Sequence, residues 1–119
     1  MKRGEVWTVS GAKDYAGKPR PVVIVQDDSF DATGSITICA FTTDETEAPL
    51  FRLGVEPSER NGLRVASSLM VDKITTVAKS KVGGRVGRLD DADMVRLNQA
   101  MTVFLGLAIT PGAARKRDR

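Results

Sequence analysis

The sequence of 119 residues contains no histidine, the side chain that most often transfers protons near neutral pH. Its single cysteine, Cys39, cannot form a disulfide within the chain and lies in an apolar run typical of a buried thiol. One cysteine and no histidine leave a zinc ion only carboxylate ligands, which argues against a zinc centre. We therefore expect no metal or other cofactor, and any acid–base chemistry falls to other side chains.

Long hydrophobic runs and aromatic residues are also scarce. No apolar segment approaches the roughly 20 residues that cross a bilayer, and the charged N-terminus lacks the apolar core of a signal peptide. We therefore expect a single-domain cytoplasmic protein without membrane contact. The four Phe, one Tyr and one Trp are few for the aromatic-lined groove of a peptide-binding module.

The net charge of +3 conceals an uneven distribution along the chain. Residues 60–88 contain seven basic residues and one acid, and residues 1–26 contain five basic residues and two acids. Residues 27–59 contain eight acids and one basic residue, Arg52. A fold that brings the two basic segments together would form a positive face able to bind nucleic acid. Scattered, solvated charges are the alternative.

Short apolar runs separated by turn residues predict strands along the first three quarters of the chain. The predicted strands span residues 5–9, 20–26, 36–42, 50–55, 68–79 and 82–89. The continuous β-branched run within 20–26 indicates a strand covered on both faces. Residues 68–79 form either one long strand or a bent pair, and the glycines in 82–89 predict a kinked last strand.

The hydrophobic period changes after residue 89 and becomes helical. Asp90 is suited to cap the helix, and Pro111 ends it. The apolar positions at helical spacing are Met94, Leu97, Met101, Leu105 and Ala108. A helix this apolar is expected to meet its own sheet and a partner. The pattern predicts a mainly β (α+β) domain at 1–110, a small antiparallel β-barrel with a C-terminal α-helix, and a basic, disordered tail at 111–119.

Two predicted strand ends carry residues suited to phosphate chemistry. Arg20 lies between two prolines where a polar loop becomes a covered strand, and its planar, permanently charged guanidinium suits a phosphate. Thr42 and Thr43 lie at the end of the third predicted strand, where a hydroxyl can donate to a phosphate oxygen. Taken singly, the commoner interpretations are a surface arginine and a threonine that initiates a turn.

Four blocks of sequence, in their order and spacing, resemble the MazF/PemK toxin family. The blocks are KRGEVW at 2–7, RPVVIVQDD at 20–28, ICAFT at 38–42, and VDKITTV at 71–77 followed by VGRL at 86–89 and the terminal helix. Each block alone would be a weak signal, but the match runs from about residue 2 to residue 108. The order of the blocks makes the resemblance specific.

The resemblance implies the toxin of a toxin–antitoxin pair, an endoribonuclease that cuts single-stranded mRNA at short sequences. It also implies an SH3-like barrel, a homodimer, and inhibition by an antitoxin that lays an extended acidic segment over the active site. The implied chemistry needs no metal ion. The RNA 2′-hydroxyl attacks the adjacent phosphate and leaves a 2′,3′-cyclic phosphate and a 5′-hydroxyl.

By position, the resemblance makes Arg20 the catalytic arginine and Thr42 the catalytic threonine. Because a guanidinium is permanently charged in proteins, Arg20 is expected to stabilise charge developing on the phosphate rather than abstract a proton. Asp72 falls on a position that contributes to the site in some members, and Met70 stands where the family can carry an arginine. Lys73 is the nearest replacement cation, but neighbouring strand residues point to opposite faces. If Asp72 faces the site, we therefore expect Lys73 to point away from it.

The loop at 10–19 resembles the substrate-gating loop of the family. Within it, Gly17 and Lys18 are candidate substrate-binding residues. RNA sequence is read on unpaired bases, and Tyr15 is the best candidate in this chain for stacking on one. Thr43 is a further candidate substrate contact, together with Asp72 and Lys73.

Other function classes fit parts of this pattern. A gyrase poison of the CcdB type shares the barrel and the dimer, but it acts by binding a protein through the end of its terminal helix. An SH3-like interaction module and a non-catalytic member of the family are further alternatives. The pairing of Arg20 with Thr42 favours the ribonuclease, because a protein-binding poison has no need of it.

Overall fold

The computed structural model describes residues 1–10, 18–44, 47–48 and 50–107. The regular elements are β1 (Glu5–Val9), β2 (Arg20–Ile24), β3 (Ser35–Thr42), β4 (Arg52–Val55), β5 (Ser67–Met70), β6 (Thr75–Ala78), β7 (Val82–Arg88) and α1 (Asp91–Phe104). All strand pairings are antiparallel, in the order β4-β5-β3-β2-β1-β7, and β6 also pairs with β3. The prediction of a mainly β protein with a C-terminal helix is confirmed. The tail at 111–119 lies outside the described residues.

The central strands β2 and β3 separate two apolar cores. The helix-side core contains Val6, Val23, Cys39, Phe41, Val55, Leu69, Val71, Leu89, Leu97 and Ala100. The far-side core contains Val9, Val22, Ile24, Ile36, Ile38 and Ala40. Successive residues of β2 therefore alternate between two buried faces, which confirms the prediction from its unbroken apolar run. Cys39 is buried as predicted.

Strands β2 and β4 are shorter than predicted for local reasons. β2 ends at Ile24 because the side-chain oxygen of Gln26 accepts the backbone N–H of Thr37 at 3.2 Å, in place of a backbone carbonyl. β4 begins at Arg52 because its N–H and that of Phe51 both donate to the Ala48 carbonyl in a turn, at 2.8 and 3.1 Å.

The segment predicted as one strand or a bent pair at 68–79 is a bent pair. β5 and β6 follow the same edge of β3, with Phe41 paired to Leu69 and Ile38 paired to Thr75. Only two residues of β3 lie between these two pairs. The segment that runs from β5 to β6 has five residues there, 70–74. Part of this excess forms a 3₁₀ turn at Val71–Lys73, which interrupts the alternation of side chains.

Helix α1 begins where predicted but ends earlier. Asp90 is the N-cap residue, yet its side chain makes no capping hydrogen bond. The N–H groups of Gly106 and Leu107 donate to the carbonyls of Val103 and Thr102 at 3.1 and 2.8 Å. With Gly106 at a φ of 75°, these bonds form a Schellman motif that ends the helix at Phe104 rather than at Pro111. No helix in the described part of the chain is long and apolar enough to cross a membrane.

Candidate active site

A cavity of about 590 Å³ opens where β2 begins and β3 ends. It is lined by Arg20, Ala40, Phe41, Thr42, Thr43, Asp44, Met70, Lys73 and Thr75. Four of the residues predicted for the site therefore share one cavity: Arg20, Thr42, Thr43 and Lys73. The floor includes Ala40 and Phe41, which are buried side chains of β3.

The register of β2 on β3 brings Arg20 and Thr42 together. Val22 pairs with Ala40, and two residues further along each antiparallel strand are Arg20 and Thr42. Side chains two residues apart in a strand lie on the same face. A pair separated by 22 positions in sequence thus lies on one face of two neighbouring strands, as the resemblance requires.

Arg20 is the exposed first residue of β2. Its backbone pairs with Val9 of β1, and Pro21, with a restricted φ, follows it. Within the described residues, no hydrogen bond or ion pair ties its guanidinium to a neighbour. The five N–H donors of this guanidinium are thus available to a ligand in the cavity.

Thr42 is half-buried, and its side-chain oxygen accepts the backbone N–H of Asp44 at 3.1 Å. This bond is the turn-initiating contact common for threonine at a strand end. It also fixes the hydroxyl oxygen while leaving the hydroxyl proton free to be donated. The structural and the catalytic interpretations of Thr42 are therefore compatible.

Asp72 and Lys73 both belong to the 3₁₀ turn at Val71–Lys73, but only one of them lines the cavity. Lys73 lines the cavity, whereas Asp72 is not among the lining residues. The Asp72 carboxylate accepts two hydrogen bonds from Arg52, at 2.8 Å from Nε and 3.2 Å from Nη2. These bonds hold the pKa of Asp72 below its usual value and raise that of Arg52. This is the reverse of the arrangement considered in the sequence analysis, and the 3₁₀ turn, rather than strand alternation, separates the two side chains.

Met70 lies at the edge of the cavity and packs against the far-side core. The position at which the resembling family can carry a cation is therefore an apolar wall in this chain. Lys73 provides a second cation from the adjacent turn. Lys18 is exposed and is not a lining residue, and Tyr15 and Gly17 lie outside the described residues.

Asp44, Thr75 and Arg52 are residues near the site that the sequence analysis did not single out. Asp44 and Thr75 line the cavity. The sequence contained one signal for Arg52, since it is the sole basic residue among eight acids in residues 27–59. A lone cation in an acidic segment is expected to pair with a carboxylate, but the sequence did not indicate which one.

Cys39 lies in the strand that forms the cavity floor. Burial raises the pKa of its thiol to about 12, so the sulfur stays protonated and is a poor nucleophile. The described residues contain no group of three or more His, Cys, Asp or Glu side chains that could hold a metal ion. The polar groups available in the cavity are therefore a guanidinium, an ammonium, hydroxyls and one carboxylate.

Known proteins similar to this chain include toxins and ribonucleases. Residues 2–105 match the family model described as PemK-like, MazF-like toxin of type II toxin-antitoxin system. A probable endoribonuclease MazF of Mycolicibacterium smegmatis is 54% identical over 108 residues, which are 91% of this chain and 99% of that protein. Endoribonuclease MazF9 of Mycobacterium tuberculosis is 27% identical, with 90% and 98% of the two chains covered.

A solved structure shares the fold. An endoribonuclease from a mycobacterial species, in complex with its cognate antitoxin, superposes with a TM-score of 0.76 over 92% of this chain and 99% of its own, at 23% identity. The residues that match the family model run from β1 to α1, and they include every residue named above as lining the cavity. With a relative above half identity over nearly its full length, the chain belongs to the PemK/MazF family of type II toxin–antitoxin toxins.

Proposed function

We propose that this protein is the toxin of a type II toxin–antitoxin pair and cuts single-stranded mRNA at a short sequence without a metal ion. The observation that carries the proposal is the meeting of Arg20 and Thr42 at neighbouring strand ends in one cavity, which Lys73 also lines. The curated relatives named above are endoribonucleases. A cavity with two cations and hydroxyl donors is suited to a phosphodiester.

In the proposed step, the 2′-oxygen of RNA attacks the adjacent phosphorus. A bond forms between the 2′-oxygen and phosphorus while the bond from phosphorus to the 5′-oxygen breaks. The 2′-hydroxyl gives up its proton, the leaving 5′-oxygen gains one, and the products are a 2′,3′-cyclic phosphate and a 5′-hydroxyl. No oxidant, reductant or metal ion is needed to balance this reaction.

Arg20 stabilises the extra negative charge that the phosphate oxygens acquire in the transition state. A preorganised donor of this kind typically contributes about 100- to 1000-fold to the rate. Its guanidinium can also donate a proton to the leaving oxygen, whereas a permanently charged guanidinium is poorly suited to accept the proton of the 2′-hydroxyl. Thr42 donates its hydroxyl proton to a phosphoryl oxygen while Asp44 fixes the hydroxyl oxygen from behind.

The remaining predicted contacts bind the RNA on either side of the cut. Lys73 and Thr43 are suited to neighbouring phosphates in the cavity, and Lys18 is an exposed cation two residues before Arg20. Gly17 and Tyr15 stay predictions of the sequence, with Tyr15 expected to stack on an unpaired base. Specificity is read on bases that have been splayed out of the strand.

The proposed assembly is a cytoplasmic homodimer regulated by an antitoxin with an extended acidic segment. Exposed apolar side chains cluster at the end of α1, including Val103, Phe104, Leu105 and Leu107, which supports a partner at this surface. The cations of the cavity are complementary to acidic side chains as well as to phosphates. The proposed antitoxin thus inhibits by occupying the RNA site.

The test is cleavage of a long single-stranded RNA by the purified protein in EDTA, with the new 5′ ends mapped by sequencing. We expect cuts at one short motif, and the products should need 5′ phosphorylation before ligation because they carry 5′-hydroxyl groups. Loss of cleavage in EDTA that is restored by added Mg²⁺ would contradict the proposed chemistry. Intact RNA together with inhibited DNA gyrase would favour the CcdB-type alternative.

A further inference from the structure

The 3₁₀ turn at Val71–Lys73 is a part of the cavity wall that does not pair with β3. It lies between the last β5 pair and the first β6 pair, where the two segments do not match in length. The ladder with β3 therefore cannot fix the backbone of the turn. Something outside that ladder must determine where its side chains point.

Strand β4 holds the turn from the other side. Arg52 pairs with Met70 at the end of β5, and the N–H of Val71 donates to the Phe51 carbonyl at 2.9 Å. The guanidinium of Arg52 then reaches two residues further along the chain and binds both oxygens of Asp72. The pair joins β4 to the turn through two parallel hydrogen bonds, the arrangement with the strongest geometric preference between these side chains.

This ion pair is more protected from solvent than the other ion pairs in the described chain. The side chains of Arg52 and Asp72 are 12% and 22% exposed, whereas the members of the Lys79–Asp31 pair are 23% and 54% exposed. Charges withdrawn from solvent are screened less, so the pair is expected to hold its geometry more firmly than a surface pair.

We infer that the Arg52–Asp72 pair is a positioning device that aims Lys73 into the cavity, where its ammonium binds an RNA phosphate. This inference rests on the proposed function. In a 3₁₀ helix, successive side chains are about 120° apart, so fixing Asp72 toward β4 rotates Lys73 away from β4. Lys73 lines the cavity together with Arg20 and Thr42, and the pair itself stays out of it.

A direct contact between Asp72 and the RNA is the competing explanation. Both carboxylate oxygens are already bound by Arg52 in the described structure, and a free carboxylate beside a phosphate would repel it. Asp72 therefore acts through its neighbour. It is a positioning residue, and its removal should matter only while Lys73 is present.

The test measures binding to a single-stranded RNA that contains the cleavage motif with a 2′-deoxynucleotide at the cut position, so that it cannot be cleaved. We expect Lys73→Gln to weaken binding about tenfold, the loss typical of one hydrogen bond to a charged group. The slope of log affinity against log salt should become shallower by about 0.7, as for one phosphate contact on a single strand. Asp72→Asn and Arg52→Gln should each reproduce part of both changes.

The double variant decides between the two explanations. If Asp72 acts through Lys73, Asp72→Asn combined with Lys73→Gln binds no more weakly than Lys73→Gln alone. Losses that multiply in the double variant would overturn the inference. Asp31→Asn, which breaks the Lys79–Asp31 pair away from the cavity, is the matched control and should bind like the wild type.

Two further measurements distinguish loss of the ion pair from loss of the fold. The reversed pair, Arg52→Asp with Asp72→Arg, should restore affinity to within about threefold of the wild type if only the clamp matters; no recovery in a folded protein contradicts the inference. Thermal unfolding identifies any variant that loses its fold. If the wild type neither cuts nor binds the RNA, the proposed function is wrong. If the wild type cuts the RNA but the losses of affinity multiply in the double variant, only the positioning role is wrong.

Discussion

The two walls of the cavity are built in different ways. The wall formed by β2 and β3 carries Arg20 and Thr42 on strand residues whose backbones are paired, Arg20 with Val9 of β1 and Thr42 with Ser68 of β5. The wall formed by β5 and β6 carries Lys73 on a turn that the ladder does not fix. A residue on the first wall keeps its place because the strands pair. On the second wall, we infer that the direction of the Lys73 side chain depends on the Arg52–Asp72 ion pair.

The comparison predicts that the largest effects come from the ladder wall. Arg20→Ala should reduce the rate of RNA cleavage about 1000-fold, because it removes the donor to the charged transition state. The side chain of Arg20 is exposed, so the melting temperature should hardly change. Single-turnover cleavage and thermal unfolding measure the two quantities, and substantial activity in Arg20→Ala would remove the centre of the proposed site.

The sequence predicted the ladder wall better than the turn wall. The run at 20–26 and the strand at 36–42 have strand patterns with few alternatives, and their antiparallel register sets Arg20 on the same face as Thr42. The turn at Val71–Lys73 gives no such signal, because its residues are compatible with a strand and only the mismatch against β3 excludes one. A mismatch in length between paired segments is a property of two distant segments and is invisible in either alone.

Helix α1 shows the same limit at another scale. Its start at Asp91 follows from local chemistry, since acidic residues fill its first turn. Its end at Phe104 depends on Gly106, whose positive φ allows two backbone hydrogen bonds to close the helix. The apolar spacing continues past this glycine, so periodicity alone extended the predicted helix to Pro111. A glycine near the end of a helical pattern was the stronger signal.

A second prediction tests whether the hydroxyl of Thr42 takes part in cleavage. Thr42→Val keeps the shape but removes the hydroxyl, and cleavage should fall about 100-fold through loss of one transition-state donor. Thr42→Ser retains the hydroxyl and should stay within about tenfold of the wild type, since only packing changes. The single-turnover rates of the two variants give the comparison. Equal losses in both would mean that the packing of the Thr42 side chain matters and that its hydroxyl does not take part in the chemistry.

The smallest effect should come from the turn wall and should depend on pH. Asp72→Asn is expected to lower the free energy of unfolding at pH 7 by about 1–2 kcal/mol, since hydrogen bonds to a charged group are lost while both residues keep some solvent contact. The pKa of Asp72 is lowered in the folded protein by Arg52, so the folded state binds its proton less readily than the unfolded chain does. The stabilisation by the Asp72 carboxylate is therefore complete above about pH 4, the pKa of an aspartate in an unfolded chain. It disappears as the pH falls through the lower pKa of Asp72 in the folded protein. Urea unfolding of wild type and variant between pH 7 and pH 3 should show the two curves converging in acid, with Asp31→Asn as the control for an exposed pair. If the two curves of unfolding free energy against pH stay parallel, Asp72 supports the turn by its shape and not by its charge. The second wall, like the first, would then not depend on an ion pair.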